Sequence, residues 1–474
     1  MIRAKTKITT FVAGALALSV GAWMRTHARA RAFADFGTGV AIPPPICGRL
    51  DDGKRHLPPS WNDFRPPAVG QTYTDPVFGC KVVRLTDGGT EELAVDEKHL
   101  SFMNYYSTLS AMNSADTMVL IMSDNGEWRV TSVGGSSVVP PGKMPDMNDG
   151  HPVWDASDGN AFYFALGNKL EKGTVDNKAV KVTTEHVFNE YGGIGSPDAA
   201  DLSQDGDHIV LAGQNSDNTV DVFVWSLRKH TKTSTYTTKC KVNKWGVTQT
   251  PQPGCVHKVV LTPNNSLLID FTQDGSGTEE GARLWDNTRL IHIQDRTNHL
   301  DTGLDLRGIP VFIATNNAVT LSGLRSPCSD QWGLDIRHIE NLASAICLLD
   351  KHPPLHVSYR GSDTQPWAAI SFFDDRKAGP EFFGGDPGFE APSRSNWQVY
   401  EDEIMLARID GRAIYRLAQA RSRSSEGYWS QPHAAVSRDG KYVVFTSNMA
   451  HPNGCPADML VPNECTDVYL IKVQ

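Results

Sequence analysis

The sequence predicts an all-β fold, a seven-bladed β-propeller in which an N-terminal strand closes the last blade. Three observations carry this prediction. A hairpin with a polar turn and a β-branched, aromatic second strand lies near the end of the chain, at 433–447. Weaker copies of it recur upstream at intervals of roughly 40 to 60 residues. Long helical patterns are scarce, so many short strands arranged radially fit the chain better than one compact sheet.

The repeated turns share a composition of Asp, Asn, Ser and Gly, which favours tight reversals. They lie at 113–116, 156–159, 203–206, 262–265, 305–308 and 437–440. Apolar strands follow them, for example at 118–122, 161–164, 208–211, 267–269 and 309–313. These six turns, with one long gap before the last that has room for a further blade, predict seven blades. The segment 334–342 fits either a short helix or a strand and stays unassigned.

The chain divides into three predicted parts. Residues 1–32 have the pattern of an export signal, and the proline-rich stretch 33–74 is expected to run as an extended lead-in over the surface. Residues 75–474 form the propeller. Within it, the strand at 81–86 is expected to pair with the last strand, 467–473, because a ring of sheets has two open edges unless its ends pair.

The N-terminal segment predicts an exported protein, secreted or periplasmic. Arg3, Lys5 and Lys7 precede an apolar run at 11–20, and small residues follow near 28–32. An uncleaved anchor is the alternative, because residues 8–24 provide about 17 mostly apolar positions. After removal of the signal we expect no membrane span.

Cysteines and charge narrow the class further. All eight cysteines follow the signal segment, which indicates an oxidising compartment, with free buried thiols as the alternative. Sequence neighbours suggest the pairs Cys47 with Cys80, Cys240 with Cys255, Cys328 with Cys347, and Cys455 with Cys465. The net charge is −9 without a block of five like charges, so nucleic acid is not an expected partner. We expect a monomer.

Histidines recur in one register of the repeat. His151, His257, His299 and His433 lie six to eight residues before the turn residues of their blades, and His356 opens the strand of the remaining blade. The innermost strands of a propeller begin at the same end of the central channel, so these imidazoles are predicted to converge at one mouth. The alternative for any single histidine is a structural hydrogen bond to the neighbouring blade.

The motif Gln431-Pro432-His433, together with 437–440 and 445–448, resembles the last blade of oligogalacturonate lyases and, more loosely, of other propeller polysaccharide lyases such as ulvan lyases. The same turn-and-strand pattern is common to TolB-type repeats, so the resemblance covers 75–474 as architecture. It implies a divalent metal, manganese or calcium, held by His356, Gln431 and His433. In the lyase pattern a histidine stands at the position of Gln431 and a glutamine at that of Tyr428.

The resemblance also implies β-elimination at a uronic acid. A cation or Arg360 would neutralise the carboxylate, a histidine would remove the C5 proton, and Tyr106 or Tyr428 would protonate the leaving oxygen. The predicted catalytic set is His151, His257, His299, Tyr106 and Arg360.

Two functions remain open at this stage. The first is an exported lyase, or a related carbohydrate-active enzyme, acting on an acidic polysaccharide. The second is a non-catalytic propeller that binds a protein or glycan in the cell envelope. Hydrolases and peptidases remain behind both, but the chain has no Gly-rich phosphate loop, no Cys-x-x-Cys pair and no Gly-x-Ser-x-Gly elbow.

Overall fold

The computed structural model describes most of the chain downstream of residue 43. The described residues are 44–90, 97–147, 150–197, 200–238, 255–271, 281–294, 297, 299–315, 326–329, 333–350, 355–360, 365–373, 393, 397–423 and 428–474. The predicted export signal and Cys240 lie outside them, as does nearly all of the segment 374–398, which precedes the strand Glu403–Arg408. Within the described residues, no helix has the length and apolarity needed to cross a membrane.

Seven small antiparallel sheets make up the fold, which confirms the predicted seven-bladed propeller. The first three blades each have four strands, given from the axis outwards. They are Phe102–Met103, Met118–Ser123, Trp128–Ser132 and Ser137–Val139 in blade 1; Val153–Trp154, Ala161–Leu166, Lys169–Asp176 and Ala179–Val187 in blade 2; Ile194–Gly195, His208–Gln214, Val220–Ser226 and Thr231–Thr238 in blade 3. A short 3₁₀ helix, Pro141–Lys143, follows blade 1.

Blades 4 and 5 also have four strands each. They are Val256–Leu261, Leu267–Phe271, Gly281–Trp285 and Leu290–Gln294 in blade 4; Leu300–Leu304, Pro310–Thr315, Leu334–His338 and Ala345–Leu349 in blade 5. The segment left unassigned between a helix and a strand is therefore a strand, and it pairs with Pro310–Thr315.

The last two blades each have five strands, because the N-terminal lead-in adds to their edges. Blade 6 consists of Leu355–Ser358, Trp367–Phe372, Glu403–Arg408, Ile414–Gln419 and, at its edge, Arg49–Leu50; blade 7 consists of Ala435–Val436, Tyr442–Ser447, Asp467–Lys472, Lys81–Arg84 and Thr72–Thr74. The pairing of Lys81–Arg84 with Asp467–Lys472 confirms the predicted ring closure. This pairing covers strand edges that the two ends of the chain would otherwise leave open.

The core of the described residues consists of seven apolar clusters, each formed mainly by two blades that are neighbours in the ring, including blade 7 with blade 1. The alternation of each strand sends side chains to both faces of its sheet, so every blade contributes to the cluster on either side. Burial between blades therefore stabilises the ring as a whole. The inner strands of neighbouring blades approach each other around the axis, and this arrangement positions the candidate site.

Three of the predicted disulfides are present, Cys47–Cys80, Cys328–Cys347 and Cys455–Cys465. Cys255 is also disulfide-bonded, and its predicted partner lies outside the described residues. The first of these bonds fastens the lead-in to blade 7. Disulfides of this number are typical of proteins outside the cytoplasm.

Candidate functional site

Three of the five predicted histidines meet at one mouth of the central channel. His299 directly precedes the inner strand of blade 5, His356 is the second residue of that of blade 6, and His433 lies two residues before that of blade 7. The ring centroids of His299 and His356 are 4.3 Å apart, and those of His356 and His433 are 4.1 Å apart. Equivalent positions in consecutive blades thus converge on the axis.

Tyr106 and Gln431 join this histidine cluster. The hydroxyl of Tyr106 lies 3.1 Å from Nδ1 of His299, and its ring centroid lies 5.5 Å from that of His433. Nε2 of His356 lies 2.8 Å from Oε1 of Gln431. The three histidines, Tyr106 and Gln431 therefore form one contact network.

The imidazoles of the cluster are neutral at neutral pH. Burial lowers the pKa of His356 to about 3, while its hydrogen bond to Gln431 opposes that change. Burial, and next the neighbouring His356, lowers the pKa of His299 and of His433 well below the ordinary value. The tautomer of His299 decides whether its Nδ1 accepts a hydrogen bond from the Tyr106 hydroxyl or donates one to it.

The cluster leaves buried nitrogens without hydrogen bonds. Among the described residues, Nδ1 of His356 has no hydrogen-bond partner. An interaction with the backbone of Gln431 raises the pKa of His433 against the effect of burial, but neither ring nitrogen of His433 makes a well-aligned hydrogen bond. Both side chains are fully buried. Unsatisfied buried nitrogens are costly, and ligand binding is one explanation for their presence.

The predicted set His356, Gln431 and His433 consists of two imidazoles and an amide oxygen. Nε2 of His356 is hydrogen-bonded to Oε1 of Gln431 at 2.8 Å, so Nδ1 is the ring nitrogen of His356 that is left open to a ligand. Nδ1 of His299, by contrast, is already hydrogen-bonded to Tyr106.

Among the described residues, the one group of three or more closely spaced His, Cys, Asp or Glu ligand atoms consists of Cys328, Cys347 and Asp350. A disulfide occupies both of those sulfurs, so that group is not a metal site. The three histidines of the cluster therefore do not present three mutually close nitrogens.

An open pocket of about 200 Å³ lies above the histidine cluster. It is lined by Met103, Tyr105, Tyr106, His257, Lys258, Tyr428 and Trp429. Tyr106 and Tyr428 connect the pocket with the histidine cluster, because their rings also contact His433, at centroid distances of 5.5 and 4.9 Å. Aromatic side chains beside cationic and imidazole groups suit an acidic sugar.

A β-bulge explains how two consecutive residues reach this pocket. Val256 pairs with Phe271 and Lys258 with Asp270, so His257 is the additional residue. Consecutive side chains of a regular strand point to opposite faces, and a bulge redirects one of them. Both His257 and Lys258 consequently line the same pocket.

His257 is held by a buried carboxylate that the sequence reasoning missed. Its Nδ1 lies 3.2 Å from Oδ2 of Asp270, and its side chain is 52% exposed. Asp270 is fully buried and accepts a second hydrogen bond from the Thr297 hydroxyl. With Nδ1 committed to Asp270, Nε2 is the nitrogen of His257 that can take a proton.

His151 stands apart from the other histidines. It is buried, and its Nε2 donates to the carbonyl oxygen of Ala200 at 2.9 Å. Its ring lies 5.2 Å from that of Tyr105. Ala200 belongs to blade 3, so His151 has the structural role that was the alternative for any single histidine, a hydrogen bond to the neighbouring blade.

The resemblance implies that Arg360 lies at the site with the histidines, but Arg360 lines a different cavity. It follows the inner strand of blade 6, at the opposite end from His356. That cavity, of about 310 Å³, contains Arg360 and Arg438 beside Asp201 and Asp301. Arg360 pairs with both aspartates at 3.2 Å, and Arg438 pairs with Asp201 at 3.2 Å. Four blades are joined by these ion pairs at this end of the channel.

The fold and the site together define a class, a seven-bladed β-propeller with a histidine cluster beneath an aromatic pocket at one mouth of its channel. No family model matches the chain, and no curated protein matches it. Among solved structures, it is similar to an oligogalacturonate lyase from Vibrio parahaemolyticus, at 9% identity and a TM-score of 0.52 over 85% of this chain and 96% of that one.

Other propellers are more distant. The WD40 domain of Pan2 from Neurospora crassa is 10% identical, with a TM-score of 0.40 over 77% of this chain and 89% of that one. TolB from Acinetobacter baumannii is 11% identical, with a TM-score of 0.31 over 69% of this chain and 65% of that one. At these identities the likeness to the lyase shows a shared fold.

Proposed function

We propose that this protein is an exported lyase that cleaves a uronic-acid-containing glycan by β-elimination at the pocket above the histidine cluster. The observation that carries the proposal is the position of His257. It faces the pocket, is oriented by a buried carboxylate, and lies above a contact network of neutral histidines, an amide and a tyrosine. Secretion or periplasmic residence agrees with the disulfides.

His257 is the proposed base. Its Nε2 removes the proton from C5 of the uronate, the electron pair forms the C4=C5 double bond, and the bond between C4 and the glycosidic oxygen breaks. The carboxylate of Asp270 stabilises the resulting imidazolium and keeps Nδ1 protonated. Among the predicted bases, His151 is committed to a backbone carbonyl, and Nδ1 of His299 is hydrogen-bonded to the Tyr106 hydroxyl.

Tyr106 is the proposed acid. Tyr106 lines the pocket, and its hydroxyl lies 3.1 Å from Nδ1 of His299. In the elimination it gives its proton to the leaving glycosidic oxygen, so the proton taken by His257 and the proton given by Tyr106 balance. In the tautomer with Nδ1 protonated, His299 donates to the hydroxyl oxygen and so positions the hydroxyl while its proton stays free for the leaving group.

A divalent metal, manganese or calcium, is part of this proposal. His356, Gln431 and His433 would hold it, and manganese suits this set better than calcium does, because calcium takes oxygen ligands and only one of the three donors is an oxygen. When bound, the ion would supply positive charge that acidifies the C5 proton of a nearby uronate.

A non-catalytic glycan-binding propeller is the second candidate, and one observation favours it. His356 and His433 have no exposed surface, while Tyr105, Tyr428 and Trp429 line the pocket above them. An aromatic lining binds sugars by ring contact without any chemistry. In that case the histidine cluster would serve only the structure.

Product formation separates the two candidates. We expect purified protein with Mn²⁺ or Ca²⁺ to generate ultraviolet-absorbing unsaturated uronates from at least one of pectate, ulvan and glucuronan. Protein treated with a chelator is the control. Binding to one of these glycans without any unsaturated product would support the second candidate instead.

Exchanging Arg360 for methionine tests its assignment to the opposite cavity. We expect a loss of about 3 kcal/mol in the free energy of unfolding, because removing one member of a buried ion pair leaves charges uncompensated. Affinity for the acidic glycan should not change. Urea unfolding and calorimetric titration measure the two quantities, with the exposed Arg228→Met as control. A loss of glycan affinity at unchanged stability would contradict the assignment.

A further inference from the structure

Lys258 is a nearly buried cation in the pocket wall. It is 4% exposed, although lysine is rarely buried to this degree. The bulge at His257 brings it to the pocket together with that histidine. The sequence did not indicate Lys258 as a site residue. In a regular strand, consecutive side chains point to opposite faces, so Lys258 and His257 would not share a pocket.

The ammonium group acts on the histidine cluster as well as on the pocket. Its positive charge contributes to the lowered pKa of His299 and of His356. Burial makes this influence larger than it would be in water. Lys258 lines the pocket together with Tyr106, whose hydroxyl contacts His299.

The pocket has no arginine among its described lining residues. Arg360, the cation suggested by the resemblance, lines the opposite cavity with two aspartates. The charge in this wall comes from Lys258, with His257 as the neighbouring titratable group. An anion that enters the pocket therefore finds its positive charge at Lys258.

We propose that Lys258 binds the carboxylate of an acidic sugar and makes the pocket selective for anionic over neutral glycans. This inference rests on the proposed function, since it concerns the same pocket. A carboxylate bonded to a partly desolvated ammonium forms a charge-assisted hydrogen bond, which is stronger than a neutral one. The aromatic residues Tyr105, Tyr428 and Trp429 would contact the sugar rings in either case.

A purely structural role for Lys258 predicts something different. Asp270 is opposite it in the sheet register and is buried. If the lysine served only to neutralise that carboxylate, its removal would destabilise the fold but would change acidic and neutral ligands alike. The ratio of the two affinities is therefore the informative quantity.

The test measures binding of trimers of galacturonate, glucuronate and mannuronate, each beside its counterpart with the carboxylates reduced to alcohols. We expect the wild type to prefer at least one acidic trimer. Lys258→Met should weaken the binding of that trimer by about 10- to 100-fold and leave the affinity for its neutral counterpart unchanged. Lys258→Arg should retain most of the preference, and the exposed Lys229→Met should match the wild type.

Each result decides the inference. Equal preference for the acidic trimer in the wild type and in Lys258→Met would overturn it, while product formation by both would leave the proposed elimination standing. A preference that disappears in Lys258→Met without unsaturated product from any acidic trimer would support the lysine and refute the elimination. A wild type that prefers none of the acidic trimers would overturn both.

Discussion

Replacing His433 with alanine is expected to lower Mn²⁺ affinity by about 100-fold or more and to reduce elimination to a similar extent. The ring is fully buried, it makes no well-aligned hydrogen bond among the described residues, and it contacts His356. Removing a ligand leaves the amide of Gln431 and one imidazole, which are too few to hold the ion. Metal content after dialysis and titration calorimetry with Mn²⁺ measure the effect.

His151→Ala is the matched control for this experiment. His151 is also buried and occupies the equivalent register in blade 2, but it bonds to the carbonyl of Ala200 and not to the cluster. Both variants should lose stability, because each leaves a cavity. We expect only His433→Ala to lose the metal. Similar Mn²⁺ affinity in His433→Ala and the wild type would rule out the proposed metal site.

Replacing His257 with alanine is expected to reduce the elimination rate by about 100- to 10,000-fold, the usual contribution of a general base. Binding of the acidic glycan should change little, since Lys258 and the aromatic lining remain. Asp270→Asn should slow the reaction less, because it removes the charge that stabilises the imidazolium but keeps the ring in the pocket. Steady-state rates and separately measured dissociation constants distinguish these effects.

His230→Ala is the control for that variant, since His230 is likewise exposed and lies on another blade. His230→Ala should leave the folded state unaffected, whereas His257→Ala should cost about 1 kcal/mol, because the buried Asp270 loses one hydrogen bond and keeps the one from Thr297. Unchanged catalysis in His257→Ala would transfer the role of base to another residue. It would leave the pocket and its lysine in place.

The blades were predictable because their signals are local. A polar turn and the apolar strand after it lie within about ten residues of each other, so the hairpins at 203–214 and 437–447 could be read directly. Ring closure followed from the physical requirement that sheet edges be paired. The segment Leu334–His338 could not be assigned, because a short apolar run fits a helix and a strand equally well.

The candidate site was predictable in part. The register of His299, His356 and His433 along the repeat was sufficient to bring their rings together. The same register did not distinguish His151, whose partner is a backbone oxygen in the next blade. Nor did it reveal Asp270, which lies on the second strand and reaches His257 only across the sheet.

By itself, the sequence determined the number of blades, the way the ring closes, and the approach of three imidazoles at one mouth of the channel, since repeat spacing and strand order decide all of these. Only the tertiary structure decided which end of the channel each charged side chain faces. A shift of one residue in a strand reverses the direction of a side chain, and the bulge at His257 is such a shift. It directs Lys258 into the pocket, while Arg360 lies at the far end.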